Sequence, residues 1–359
     1  MASALRRLAR PVAATATRWW PQRSRLFLVG EGAGWAIDNE LREMAETAAR
    51  LGIRLADRRF LSASRDQAAF FGSQFTLLRE PWRPSPHALA TAYFHGRPGT
   101  PGMPEFDETY HALCAHHAEL ARVQVTHSEM HELVLSSGID PDKVFRIPIS
   151  VKLDCFEPQT ETSRAAARRE LGLPPHAFVV GSFQKDGVGW AQGLEPKLIK
   201  GPDILLEALR IVRERVPDLH VLLSGPARGY VRAELERLSI PYVHRRLAHY
   251  VEIGRLYTAL DAYVVPSRQE GGPKAVLEAM ASGVPVVSTR VGQAAEIIRD
   301  GENGWLVDVD DVEALAGRLA PTAELQDVVA AGLETARVFA CEAQLSLWRR
   351  FFDGFVAHA

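Results

Sequence analysis

The stretch SRQEGGPKAVLEAMASGVPVVST, residues 267–289, decides how this chain is read. It follows a short apolar run, AYVVP at 262–266, with the length and composition of a buried strand. Glu270, Gly271 and Gly272 then make a loop whose missing side chains let a ligand approach the backbone. Pro273 stands where a helix would begin, and proline suits a first helical position because its absent N–H would go unpaired there anyway. Strand, glycine loop and helix in that order place the amides of Gly272, Lys274 and Ala275 at the positive end of a helix dipole, on the carboxyl edge of a parallel sheet. That is a ready site for a diphosphate. Glu270 and Glu278 lie eight positions apart, one in the loop and one well over a turn into the helix. Carboxylates repel phosphates but accept hydrogen bonds from hydroxyls, so the pair suits a molecule with sugars on both sides of a diphosphate, which is the shape of a nucleotide sugar. Either glutamate alone would read as an ordinary solvated acid; the combination is what carries the reading.

Outward from this segment, short apolar runs alternate with amphipathic helical stretches. In the second half, strands are expected at 178–182, 220–224, 262–265, 285–289 and 305–307. In the first half they are expected at 26–29, 75–78, 91–94, 123–126 and 144–147, with a helix over 37–51 after the first. This alternation predicts an α/β fold with parallel sheets covered on both faces. A chain of 359 residues is long for one core and comfortable for two. Residues 157–163 are polar, contain Pro158 and lack apolar periodicity, which marks a linker. The predicted organisation is therefore a basic arm at 1–25, a first domain at 26–156, linker and capping helix at 157–176, a second domain at 177–340 and a terminal helix at 341–359. That helix carries Leu345, Trp348, Phe352 and Phe355 on one side and should pack against something, the first domain being one candidate.

Bulk properties narrow the function class. The formal charge is −2, with 47% hydrophobic and 24% charged residues, so neither disorder nor a generally basic nucleic-acid surface is indicated. Cys114, Cys155 and Cys341 are odd in number and without a CxxC pair, which argues against a disulfide framework or zinc site and suits a reducing cytoplasm. No stretch approaches the ~18 apolar residues of a membrane helix. The arm, with Arg6, Arg7, Arg10, Arg18, Arg23 and Arg25 beside Trp19 and Trp20, leaves three readings open. It could be a solvated terminus, a segment lying on anionic lipid as a peripheral membrane contact, or a transit peptide.

The Glu270–Glu278 segment resembles the E-x7-E motif of retaining glycosyltransferases of the GT-B fold, family 4, including the helix reading LEAMASGVPVV at 277–287. The resemblance extends over much of the second domain, through GPDILLEAL at 201–209, LLSGP at 222–226, AYVVPS at 262–267 and GENGWLV at 301–307. It implies two Rossmann-like doubly wound domains facing a cleft. It implies transfer of a hexose from a UDP- or GDP-sugar to a glycan, lipid-linked or small-molecule acceptor with retention, and no metal or other cofactor. It implies that Glu270 contacts the hexose hydroxyls, Glu278 the ribose, and Lys200 the departing diphosphate. A fixed cation there stabilises the transition state more than the ground state, because negative charge builds on the leaving oxygen. The family has a second cation, an arginine just after the first strand of this domain, where this chain has Gly181, Ser182 and Phe183. Ser182, grouped with the donor contacts, cannot supply that charge. Lys185 is the nearest substitute, as a point charge without arginine's fork, at the head of an unusual insertion over 184–199.

Signals in the first domain are weaker. Gly30, Gly32 and Gly34 follow a strand, but Trp35 breaks a GxGxxG dinucleotide pattern, and such a loop suits a GT-B donor site as well. His95 resembles the family's histidine near the reacting sugar, although a capping or core histidine accounts for it equally. Ser128 resembles a cleft-lining position. His127 and His131 have helical ligand spacing but do not form HExxH, and the literal DxD of Asp308 and Asp310 precedes a helix that it would cap. The alternatives to transfer are a nucleotide-sugar epimerase or phosphorylase on the same fold, or a non-catalytic nucleotide-sugar-binding protein.

Overall fold

The structure is a computed structural model that describes residues 25–32, 36–78, 82–319 and 325–356. The arm at 1–25, Arg25 excepted, and Gly34 lie outside the described residues. The chain forms two units, one of residues up to Ile147 together with Gln344–Ala359, the other of Pro148–Ala343. Among the described residues each unit carries one six-stranded, all-parallel sheet.

In the first unit the order is β2-β1-β3-β4-β5-β6, with β1 Leu26–Val29, β2 Leu55–Ala56, β3 Ala68–Phe71, β4 Ala88–Ala92, β5 Leu120–Val125 and β6 Val144–Arg146. Alternation along each strand sends Leu26, Ala68, Phe70, Ala90 and Ala92 to one core and Phe27, Ala69, Leu89, Val123 and Val125 to the other, so both faces are covered. One expectation fails here: residues 75–78 are not a strand. Gln74–Leu77 is a single helical turn opened by Ser73, whose hydroxyl accepts from the Phe75 amide at 3.2 Å, and the strand is the preceding AAFF. The helix Leu345–Phe352 closes one face: Phe351 packs edge-on against Phe70 and Phe145, with ring centroids 5.7 and 5.2 Å apart, and Trp348 lies 6.4 Å from Phe70.

In the second unit the order is β12-β11-β10-β7-β8-β9, with β7 Phe178–Ser182, β8 Leu219–Ser224, β9 Tyr242–Arg245, β10 Ala262–Val265, β11 Val286–Thr289 and β12 Trp305–Val307. Val179, Leu222, Tyr263, Val265 and Val286 line one core; Val180, Val221, Leu223, Val264 and Val287 line the other. The division from the first unit falls earlier than the polar stretch 157–163, because residues 149–156 are built into this unit. The Ile149 amide donates to Gln293 Oε1 at 2.7 Å, the Val151 amide to the Phe339 carbonyl at 3.0 Å, and Phe156 packs edge-on against Tyr257. The helix Glu161–Leu171 is then locked by Arg168, which is 2% exposed, donates to the carbonyls of Ala259, Pro175 and Ala177, and pairs with Asp261. No described helix is long and apolar enough to cross a membrane.

Candidate active site

In the second sheet the chain order reverses between β7 and β10. Connections leaving the carboxyl ends of such neighbours run in opposite directions, which is where open α/β sheets hold ligands. Lys200, Glu270 and the glycine loop, singled out from sequence, collect there, whereas His95, Gly32 and Ser128 lie in the first unit.

Lys200 closes a one-turn 3-10 helix, Leu198–Lys200, and Gly201 follows with φ +63°. A Cβ at Gly201 would stand 1.9 Å from the Pro266 carbonyl oxygen, so only glycine lets this segment lie against the end of β10. The Arg268 and Gln269 amides donate to the Ile199 carbonyl at 2.8 and 3.2 Å, and Gln184 Nε2 donates to the Lys200 carbonyl at 2.7 Å. This lacing brings Lys200 Nζ within 2.6 Å of Glu270 Oε2, with the side chains 18% and 12% exposed. Glu270 Oε1 accepts from Ser267 Oγ at 2.8 Å. Cation and carboxylate therefore converge at the carboxyl end of β10.

The glycine loop is held from beneath. A Cβ on Gly292, which has φ +47°, would come within 2.4 Å of the Glu270 carbonyl oxygen, and one on Gly272 within 2.9 Å of Gln293 Oε1. Gln293, 2% exposed, donates its amide N–H to the Gly271 carbonyl at 3.1 Å and exchanges two hydrogen bonds with the Ile149 backbone. The helix spans Lys274–Ala281, with Pro273 just before it, and so begins one residue later than the sequence suggested. Its amino end points from the loop that carries Glu270.

Glu278 is only 3% exposed. Tyr257 donates to its Oε2 at 2.8 Å and Tyr250 to its Oε1, so both carboxylate oxygens are engaged by phenols. Burial first, and then the Glu278 charge, push the Tyr257 phenol well above its ordinary pKa, which keeps it a donor. Tyr250 is half-buried, and Lys274 Nζ lies 5.9 Å from its ring centroid.

Lys185 sits over the Trp190 ring, 4.7 Å from its centroid, and donates to the Gly187 carbonyl at 3.1 Å. Burial holds its pKa below that of an ordinary lysine; the Lys200 charge adds to this and Asp186 opposes it. Two cations thus flank the end of β7. Ser182 departs from the expected donor contact. It is fully buried, and its hydroxyl and carbonyl accept from Arg228 at 3.1 and 2.6 Å. Arg228, in PARG after β8, is the residue that sequence reading missed. A lone arginine after a Gly-Pro pair looks solvated, and its burial is explained by Ser182 and Asp186, far back in the chain, together with the Ser224 carbonyl.

In the first unit, the Gly32 amide, at a residue with φ +72°, donates to Asp38 Oδ1 at 3.1 Å, in the first turn of the helix Ala36–Arg50. His95 is half-buried between Phe75 and Phe106, at centroid distances of 5.7 and 5.4 Å. Ser128 opens the helix Ser128–Ser136. His127 is 2% exposed and accepts from or donates to Thr126 at 2.9 Å. The cap expected of Asp308 and Asp310 is made instead by Asp311, whose carboxylate accepts from the Ala314 amide at 2.9 Å. Asp310 pairs with Arg268 at 2.7 Å. Among the described residues no three His, Cys, Asp or Glu side chains gather as a metal-holding group.

Residues 186–323 match the family model described as Glycosyl transferases group 1. The D-inositol 3-phosphate glycosyltransferase of Corynebacterium glutamicum (strain R) is 31% identical over 205 residues, covering 54% of this chain and 47% of that protein. The protein of the same name from Xylanimonas cellulosilytica is 35% identical over 214 residues, covering 55% and 46%. The chain spans about half the length of the curated relatives it matches. Among solved structures, Anabaena HepE in complex with UDP and glucose superposes with a TM-score of 0.73 at 16% identity, covering 92% of this chain and 100% of that one. Sucrose-phosphate synthase from Thermosynechococcus elongatus gives 0.68 at 19%, with coverage of 92% and 100%. At such identities the likeness concerns the fold, which is the GT-B fold of two Rossmann-like parallel-sheet domains.

Proposed function

We propose that the chain is a retaining hexosyltransferase that moves sugar from a UDP- or GDP-sugar to a glycan, lipid-linked or small-molecule acceptor. The observation that carries this is the 2.6 Å meeting of Lys200 and Glu270 where the sheet order reverses, beside the amino end of the helix Lys274–Ala281. The diphosphate docks on the amides of Gly272, Lys274 and Ala275, with Gly271 and Pro273 shaping the turn. Lys200 and Lys185 neutralise it, Glu270 accepts from hexose hydroxyls, and Glu278 exchanges a tyrosine for a ribose hydroxyl. The glycosidic bond to the diphosphate breaks while the acceptor hydroxyl attacks the same face, its proton passing to the departing phosphate oxygen. His95, Gly32 and Gly34 belong to the acceptor-side domain of this reading. With two lysines and a helix end supplying positive charge, no divalent metal is required, and turnover persists in chelator.

The test is a panel of nucleotide sugars with and without acceptor, beginning with UDP-glucose because UDP and glucose occupy the similar HepE structure. D-inositol 3-phosphate joins the acceptors because the relatives carry it in their names. Acceptor-dependent release of UDP or GDP, lowered about 10²-fold or more by Lys200→Met, is the expected result. Epimerised donor without acceptor, or Lys200→Met and Glu270→Ala variants as active as the parent, would reject the assignment.

A further inference from the structure

We propose that the buried Arg228–Asp186 pair is a positioning device that clamps the insertion between Lys185 and Lys200 and so sets where both ammonium groups stand. The proposal rests on the donor-site reading above and extends it to two residues that touch no substrate. Arg228 is 1% exposed, and its guanidinium donates to the carbonyls of Ser182 and Ser224 at 2.6 and 2.9 Å and to Ser182 Oγ at 3.1 Å. Its Nε lies 3.0 Å from Asp186 Oδ1, both side chains being 0% exposed. The planar guanidinium therefore hydrogen-bonds the ends of β7 and β8 and meets the first residues of the insertion through a buried ionic contact with Asp186 that is not aligned as a hydrogen bond, an arrangement that lysine's point charge cannot reproduce.

From that anchor the chain makes a hairpin. The Lys197 amide donates to the Asp186 carbonyl at 2.7 Å, the Val188 amide to the Glu195 carbonyl at 2.9 Å, and Gly187 bridges Pro196. The far end is fastened to the residues that follow Arg228. The amides of Gly229 and Tyr230, which open the helix Gly229–Arg237, donate to the carbonyls of Gln192 and Gly193 at 2.7 and 2.8 Å. A Cβ on Gly187 or Gly193 would stand 2.2 Å from the Ala227 carbonyl oxygen, so the hairpin lies directly on the loop that carries Arg228. Lys185 is one residue before the clamp and Lys200 three after the hairpin's closing bond. A buried ion pair is weak evidence for stability, since desolvation offsets its attraction. Its place between the two cations gives it a role in their spacing.

The experiment uses the full chain with Asp186→Asn, Asp186→Glu and Gly193→Ala. Hydrogen exchange is read at the amides of Val188, Lys197, Gly229 and Tyr230, and kcat per UDP-binding site and donor KM are read alongside. Expected in Asp186→Asn and Gly193→Ala are exchange at least about tenfold faster at those four amides, with strand amides of β10 and β11 unchanged, and a kcat about 10- to 100-fold lower with a smaller change in KM. Asp186→Glu recovers part of both. Unchanged exchange in the hairpin overturns the clamp, and faster exchange with unchanged kcat overturns the positioning role. If Asp186→Asn does not fold, Gly193→Ala, which leaves both charged side chains in place and presses on the Ala227 backbone beside Arg228, loosens the hairpin from that loop and decides the question. Failure of the donor-site reading shows separately, as full activity of Lys200→Met, and leaves the exchange result standing.

Discussion

Replacing Gly201 by alanine, alongside Gly172 by alanine, separates backbone conformation from close approach. Both glycines have positive φ, +63° and +73°. Alanine in that region costs about 1–2 kcal/mol. A Cβ at Gly172 meets nothing within 4 Å, so that variant carries this cost alone. A Cβ at Gly201 stands 1.9 Å from the Pro266 carbonyl oxygen, whereas ordinary contact begins at 3.4 Å, and backbone must part by ~1.5 Å. Such overpacking adds about 1–3 kcal/mol, for a total of about 2–5 kcal/mol. For a unit of this size each kcal/mol lowers the melting midpoint by roughly 2–4 °C. Scanning calorimetry of the second unit's transition should therefore place Gly201→Ala at least a few degrees below Gly172→Ala. Lys200 is the adjoining residue, and a shift of about 1 Å in a catalytic group costs on the order of 10²-fold, so kcat for donor turnover falls in Gly201→Ala and not in Gly172→Ala. Equal midpoints for the two variants would refute the close-approach argument.

Other outcomes follow from the same geometry. Lys185 has a depressed pKa, first from burial and then from Lys200, so as pH rises it loses its proton below the ordinary ~10.4; activity declines on that limb, and Lys200→Met moves the midpoint of Lys185 acetylation upward. Tyr250→Phe removes one hydrogen bond to Glu278 that a ribose hydroxyl must displace, and titration calorimetry should find UDP bound several-fold more tightly, about 1 kcal/mol. Tyr257→Phe leaves a 3% exposed carboxylate short of a donor and costs about 1–3 kcal/mol of stability in urea. Trp348→Ala opens a cavity beside Phe70 and Phe351 and costs the first unit about 3–5 kcal/mol, with the second unit's transition unmoved.

What could be read from residues alone follows the range of the forces involved. The β10–loop–helix segment is local: glycine, proline and apolar spacing within 267–289 determine it, and the strand, turn and helix stand where those residues put them. Strands 178–182 and 305–307 coincide with β7 and β12 for the same reason. The run at 75–78 misled because FTLL has strand composition, and Ser73 converts it into a capped turn through one hydroxyl. β9, with sequence YVHR, sits at the sheet edge, half-exposed, and shows no continuous apolar run to announce it. β2 is two residues long and exists through its register with β1. In the site, Glu270 stood out through its combination with the glycine loop, Pro273 and Glu278, and Lys200 only through the resemblance of its Lys-Gly pair, since alone it reads as a solvated lysine. The tyrosines on Glu278 and the Arg228–Asp186 pair were not legible, because each joins residues tens of positions apart through burial rather than period.

The helix Leu345–Phe352 belongs to the first unit although the whole of Pro148–Ala343 intervenes. During translation at about 5–20 residues per second, that interval lasts roughly 10–40 s. For its duration Phe70 and Phe145 of the emerging chain lack the Trp348 and Phe351 rings that will cover them. The first unit's core therefore stays open until residues 345–352 are made, after those of the second unit, and the nascent first unit is the part that a chaperone would have reason to shield.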